Sequence, residues 1–340
     1  MSPRFFCWKS KFFKSKNLLA VATLIVTQIL SPQWSVGADK IRIGYGAQTV
    51  YNAVLWIANE GKIFEKNSLS VESLYLESAL VQRALIAREI QAGQMTGALM
   101  SAPRLQGADL VMIAGFVDRL TDRLVVHPDI RSAGDLKGKR VGVSRFGAVT
   151  DTATRLLLTK LGLNPEKDVI LLQVGGTATR MAALIGGSVD ATLVAPPDYK
   201  KAVEAGMRVL VNMEEIGIPY QHQSLVTTQS FIAKNPSIVQ RMVKSFVEGI
   251  HLMRTNPELS KRTISKYMRV KEEKDLEEAY QLLRRLIPAK PYPSLEGFKT
   301  VLAGLAKEIP AAATANPRDF VDVRFLEELD RSGFIDGLYR

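Results

Sequence analysis

Between Ser144 and Gly162 the chain reads SRFGAVTDTATRLLLTKLG, a loop of small residues that runs straight into an amphipathic helix. A helix start of this kind turns free N–H groups and the positive end of the helix dipole toward whatever sits before it, which suits a negatively charged group. Arg145 adds a guanidinium able to grip a carboxylate or sulfonate with two parallel hydrogen bonds. Asp151 works the other way, repelling a bare anion and pairing with an amine. A zwitterion or a heteroaromatic ring reconciles the two. Thr150 or Asp151 is the expected helix cap, with Ala153, Leu156, Leu157 and Leu161 facing inward, Thr154, Arg155, Thr159 and Lys160 facing out, and Gly162 as the stop.

The same succession of strand, small loop and helix start recurs at Gly175-Gly176-Thr177, and again in GYGAQTVYN, where Gln48, Thr49, Tyr51 and Asn52 are candidate ligand contacts. Several helix starts on one sheet edge converge on one crevice. The candidate binding set is completed by Ser78, Ser101, Phe116, Phe146, Gly147 and Pro196. Signatures of catalysis are missing. GYGAQT lacks the third glycine of a dinucleotide fingerprint, and there is no phosphate-binding GK[ST], no G-x-S-x-G elbow and no H-E-x-x-H. His127, His222 and His251 have no metal-ligand spacing; His222, in PYQHQS, is the one placed near a proposed chain crossing. No catalytic residue, metal or cofactor is expected.

These residues need a scaffold of repeated βα units. Ile41 and Ile43 alternate with Lys40 and Arg42 as in a strand, and the apolar block Ala53 to Ala58 stops at Gly61 like a short helix. SVESLYL and a helix from Ser78 to Ile90 follow, then the buried strand DLVMIAG. Residues 116–130 read as irregular, with Leu124-Val125-Val126 as a crossing strand. A second series alternates strands 140–144, 168–174, 190–195 and 208–211 with helices, which predicts a parallel sheet. SLVTT at 224–228 returns the chain, and three long helical segments, punctuated by prolines, finish it.

The 340 residues, 46% hydrophobic and 23% charged, suffice for two domain-sized cores. Arg4, Lys9, Lys11, Lys14 and Lys16 precede an apolar run from Leu18 to Leu30 and the small residues Val36-Gly37-Ala38, the pattern of a secretory signal peptide over 1–38 cleaved near Ala38. The run is shorter than the ~20 residues a membrane-spanning helix needs. Without those five charges the net charge of +11 falls to +6, and the remainder is mixed in sign, with no basic stripe suited to nucleic acid. The single cysteine, Cys7, leaves with the signal, so no disulfide, thiolate or cysteine metal site is expected in the exported chain.

Taken in order, ALIAREI, QGADLVMIAG, IRSAGDLKGKRVGVSRFG, LLLTKLGLNPEKDV, AALIGGSVDATLVAPP and AVEAGMRVL resemble the landmarks of nitrate/sulfonate/taurine-type periplasmic binding proteins of ABC importers, which are similar to the thiamine-pyrimidine synthase family. The resemblance implies an α/β type II periplasmic-binding fold of two lobes joined by a two-strand hinge, with a helical C-terminal region packed on lobe 1. On that plan 39–122 and 228–340 form lobe 1 and 123–227 forms lobe 2. It implies a periplasmic monomer that closes on a small sulfonate, nitrate, carboxylate or pyrimidine-like solute and presents it to permease subunits in the inner membrane, with no nucleic-acid partner. An enzyme of the pyrimidine-precursor synthase type and a periplasmic ligand sensor are the alternatives; relatives of the first kind use a cysteine-rich motif that is lacking here. Two departures stand out: Glu77-Ser78 where relatives carry small residues, and Arg88-Glu89-Ile90-Gln91 where they carry a Gly-Glu-Ile/Val-Asp turn.

Overall fold

The computed structural model describes residues 37–306 and 308–340, so residues 1–36 of the expected export signal, with Cys7, Trp8 and Trp34, lie outside the described residues. The described residues form ten strands, in chain order β1 (Asp39–Tyr45), β2 (Leu69–Tyr75), β3 (Ala92–Met95), β4 (Leu110–Arg119), β5 (Arg123–Val126), β6 (Arg140–Val143), β7 (Ile170–Gln173), β8 (Ala191–Val194), β9 (Arg208–Asn212) and β10 (Pro219–Thr228). They build two five-stranded sheets, ordered β2-β1-β3-β10-β4 and β7-β6-β8-β5-β9. β1, β2 and β3 are parallel, as are β6, β7 and β8, because each is followed by a crossover helix.

The sheets are not purely parallel, as the sequence alone suggested for the second. β10 runs antiparallel between β3 and β4, and β5 runs antiparallel between β8 and β9. Both strands arrive from the opposite sheet, so they enter pointing the other way. Leu124, Val125 and Val126, read as a crossing segment, are interior residues of β5, and β4 continues through Phe116 to Arg119 where the sequence looked irregular. The change of sheet falls in the three residues 120–122 and, on return, between β9 and β10. A strand buried on both faces carries no alternation to say which sheet it joins.

Each sheet is covered on both faces. Helices Ala53–Glu60, Pro236–Thr255, Pro257–Met268 and Glu273–Leu286 close one face of the first sheet around Ile43, Trp56, Phe116 and Phe246. Helices Ser78–Ile86, Gly97–Leu105 and Leu295–Leu305 close the other around Val81, Met100, Val226 and Phe298. In the second sheet Leu157 and Leu158 cover one face, Met181 and Leu184 the other. Helix Ser78–Ile86 ends four residues before the expected Ile90, because Arg88 takes a left-handed φ of 63°. Thr154, assigned to an outer face, is 1% exposed. The C-terminal helices pack chiefly on the first sheet, yet Val301 reaches into the core of the second. Gly297 permits the close seating of its helix on β10: a Cβ there would lie 2.6 Å from the Gln221 backbone nitrogen.

Candidate functional site

The loop before helix Val149–Lys160 keeps its polar groups to itself. The helix N-cap is Ala148, which supplies no side-chain bond, so neither Thr150 nor Asp151 caps it as the sequence suggested. Both reach back into the loop. Thr150 Oγ1 accepts from the Ser144 amide at 2.9 Å, and Asp151 Oδ2 accepts from the Gly147 amide at 2.9 Å. The Phe146 amide donates to Gln173 Oε1 at 3.2 Å and the Ala148 amide to the Arg145 carbonyl at 3.1 Å. Asp151, 4% exposed, is further held by Arg155 Nε at 2.8 Å. A loop whose amides are spent internally has few left for an anion. Arg145 and Phe146 stand exposed beside it, and a Cβ on Gly147 would lie 2.7 Å from the Glu308 carboxylate.

The other candidates fall into two groups. Tyr51 and Asn52 are buried and tied to the crossing segments: the Tyr51 hydroxyl lies 2.5 Å from Thr121 Oγ1, and Asn52 takes a short hydrogen bond from Gln223 while donating to the Ala47 carbonyl at 2.8 Å. Ser78 donates to the Gly46 carbonyl at 3.2 Å across the mouth of that same loop, with Gln48 exposed and Thr49 half-buried beside it. Gly176 and Thr177 open helix Thr177–Ile185, and Pro196 is buried in the loop after β8, joined to Pro197 by a cis peptide. Phe116, in contrast, is fully buried and stacked on Phe246, inside the core, and Ser101 is fully buried on the helix-covered face, its hydroxyl without a partner among the described residues.

The residues that converge at the junction of the two sheets are partly ones that the sequence did not single out. Arg180, only 3% exposed, donates from Nε to Thr192 Oγ1 at 3.1 Å, from Nη1 to the Gly175 carbonyl at 2.8 Å, and from Nη2 to the Leu193 carbonyl at 3.2 Å and Thr177 Oγ1 at 3.5 Å. Every acceptor is neutral. Asp122, in the junction between β4 and β5, is half-buried, and among the described residues its carboxylate has no hydrogen-bond or ion-pair partner. The register places them near one another: Arg123 lies opposite Val194 and Leu124 opposite Leu193, so Asp122 falls one residue beyond Val194, close to the carbonyl that holds Arg180.

Burial lowers the affinity of the Arg180 guanidinium for its proton, and the Asp122 charge opposes that shift. The same carboxylate acts on His222, whose pKa burial pushes down, and on Tyr51, whose hydroxyl burial and then Asp122 push up. His222 packs on the edge of Tyr51 at 4.8 Å between ring centres, with Tyr220 beyond it at 6.5 Å. Among the described residues the His222 Nδ1 and the Tyr220 hydroxyl are buried without partners. Asp122 thus acts on the guanidinium of Arg180 and on His222, whose own neighbour Tyr220 is likewise unsatisfied among the described residues. The one signal for Arg180 in the sequence was an arginine on the inward stripe of TATRMAALI, beside Met181 and Leu184.

Residues 50–260, more than half of the chain, match the family described as NMT1/THI5 like. This protein belongs to the NMT1/THI5-like family. A Brucella abortus (strain 2308) protein named as a binding protein is 26% identical to this family member over 236 residues, 68% of this chain and 72% of the other. The fold matches that of the periplasmic aliphatic sulphonate binding protein SsuA from Escherichia coli, with a TM-score of 0.70 at 20% identity over 83% of this chain and 97% of that one. It matches the periplasmic nitrate-binding protein NrtA from Synechocystis PCC 6803 with a TM-score of 0.66 at 15% identity over 87% and 88%. Among the described residues of the NMT1/THI5-like chain, no helix is long and apolar enough to cross a membrane.

Proposed function

We propose that this chain is the periplasmic solute-binding component of an ABC importer, which captures one small molecule between its two lobes and presents it to a membrane permease. The lobes are the two sheets with their helices, hinged at 120–122 and between β9 and β10. The observation that carries the reading is the buried Arg180 at the edge of the second sheet, hydrogen-bonded only to neutral acceptors, with the Asp122 charge of the crossing segment acting on it. A buried guanidinium without a direct ion pair is costly, and an anionic ligand recovers part of that cost on binding. The family match and the fold shared with sulfonate- and nitrate-binding proteins support the same reading.

The described residues hold no group of three or more metal-ligating side chains. Binding without chemistry is the proposal, with a monomer as the working unit, supported by the fold shared with sulphonate- and nitrate-binding proteins and by relatives named as binding proteins. Calorimetry over a panel of small anions, amino acids, sulfonates and pyrimidines is the test. One molecule bound per chain, recovered unaltered by mass spectrometry, is the expected result. Chemical conversion of a bound compound, or the absence of saturable binding across the panel, overturns it.

A further inference from the structure

A cavity of about 470 Å³ opens where the chain changes sheets, lined chiefly by Arg119, Arg123, Arg285, Asn212, Glu214 and Glu215. None of the helix-start residues 46–52, 144–151 or 175–177 lines it, so it is a place apart from the cleft that those loops border. We infer that this cavity is a second binding site, for a small polyanion of the pyrophosphate or tricarboxylate kind. Its walls come from both sides of both crossings. Arg119 ends β4 and Arg123 begins β5, on either side of the first crossing; Asn212 ends β9, and Glu214 and Glu215 sit on the short helix Met213–Ile216 within the second. Arg285 comes from the last turn of helix Glu273–Leu286, which packs on the core of the first sheet.

Glu214 shows how an anion is held there. Arg285 donates to it from Nε at 3.1 Å and from Nη2 at 3.4 Å, one bond to each carboxylate oxygen, and Arg123 Nη2 lies 3.5 Å from the same group. This two-pronged grip suits carboxylates and phosphates alike. Glu215 is engaged separately, by Asn212 Nδ2 at 2.7 Å. The arginines are not exhausted: Arg119 spends its Nε on Asp118 at 2.9 Å, and among the described residues neither Nη of Arg119 nor Nη1 of Arg285 has an acceptor. These are charged donors at every physiological pH. An entering ion takes them and competes with Glu214 for Arg285 and Arg123. Repulsion from Glu214 and Glu215 opposes any anion, so one that carries several charges and reaches several arginines is favoured over a monoanion. An occupant that bridges Arg119 to Arg285 also ties the crossing segments into one setting, and linkage makes the coupling to closure reciprocal.

The experiment titrates inorganic pyrophosphate, propane-1,2,3-tricarboxylate and acetate into the purified protein by calorimetry at physiological salt, and follows hydrogen exchange on the same mixtures. One polyanion is expected per chain, with slowed exchange confined to residues 119–123 and 212–218 and with acetate at least about tenfold weaker. Arg119→Ser and Arg285→Gln should each weaken the polyanion about tenfold, the loss of a charge-assisted hydrogen bond. Glu214→Gln keeps the shape but removes the competing charge, and should tighten binding. Should Arg285→Gln not fold, Arg119→Ser, at a side chain 44% exposed, and Glu214→Gln carry the test. No saturable binding of either polyanion, an affinity unmoved by Arg119→Ser or weakened by Glu214→Gln, or protection appearing instead at residues 46–52 and 144–151 overturns the inference. The importer reading is tested by solutes that enter the cleft, so it stands or falls separately from this site.

Discussion

Lys200 is predicted to act as a latch between the lobes. Its Nζ lies 2.5 Å from Asp275 Oδ1 and 2.5 Å from Glu278 Oε2, while the neighbouring Tyr199 hydroxyl donates to Glu278 Oε1 at 2.9 Å. Tyr199 and Lys200 begin a helix packed on the second sheet; Asp275 and Glu278 belong to a helix packed on the core of the first. Burial alone would lower the Lys200 pKa, but the bonds to Asp275 and Glu278 override it and hold it above its ordinary value. The lysine is therefore charged throughout the physiological range, and its charge is lost as pH rises through that elevated pKa. Exposed ion pairs contribute about 0.2–1 kcal/mol each. With Lys200 only 20% exposed and bonded twice, about 1–2 kcal/mol is a fair sum for the site. Lys200→Ala should then shift the closed-to-open ratio about five- to thirtyfold toward open, enlarge the radius of gyration in small-angle scattering, and weaken ligand affinity by up to the same factor. Raising the salt concentration should reproduce part of the change in the wild type and little in the variant, because screening acts on the pair itself. An unchanged scattering profile and affinity in Lys200→Ala, with the urea midpoint also unchanged, would refute the reasoning.

Other outcomes follow from packing and charge. Asp190 takes three hydrogen bonds from Arg140, which hold its pKa below the ordinary value; the stability this contributes is present above the unfolded pKa and disappears as pH falls through the folded one. Asp190→Asn should accordingly be less stable than wild type at neutral pH and converge with it in acid, as read by urea titrations at several pH values. Gly297→Ala should destabilise by about 1–3 kcal/mol through overpacking against β10, whereas Gly337→Ala, with open space around it, should be close to neutral in the same urea assay. Trp56 is fully buried, stacked on Tyr267 at 4.8 Å and edge-on to Tyr45 at 5.5 Å, so Trp56→Ala should cost about 3–5 kcal/mol, and wild-type emission should stay blue until global unfolding.

Much of the architecture was legible because it rests on local pattern. The run Ala53 to Ala58 ending at Gly61, the helix EKDLEEAYQLLRRL and the strands before each small loop appear close to where periodicity puts them. β3, with the sequence AGQM, escaped notice because it has neither alternation nor β-branched residues, and it is a strand only because β1 and β10 flank it. The loop at Ser144 looked like an anion cradle since amides at a helix start are usually free, and nothing in the one-dimensional order shows Gln173 arriving from β7 to take one of them.

By itself the sequence determined the export signal as a pattern, the succession of βα units, the order of family landmarks and the lack of catalytic motifs, all of which depend on residues adjacent in the chain. Tertiary structure alone decided that β5 and β10 enter antiparallel, that Asp151 answers to Gly147 and Arg155, and that Arg180 lies buried near Asp122 with no carboxylate paired to it. The reason is physical: a side chain's charge is written in its identity, but the cost of burying that charge depends on what neighbours it, and those neighbours come from strands and helices as many as 58 residues apart in the case of Asp122 and Arg180.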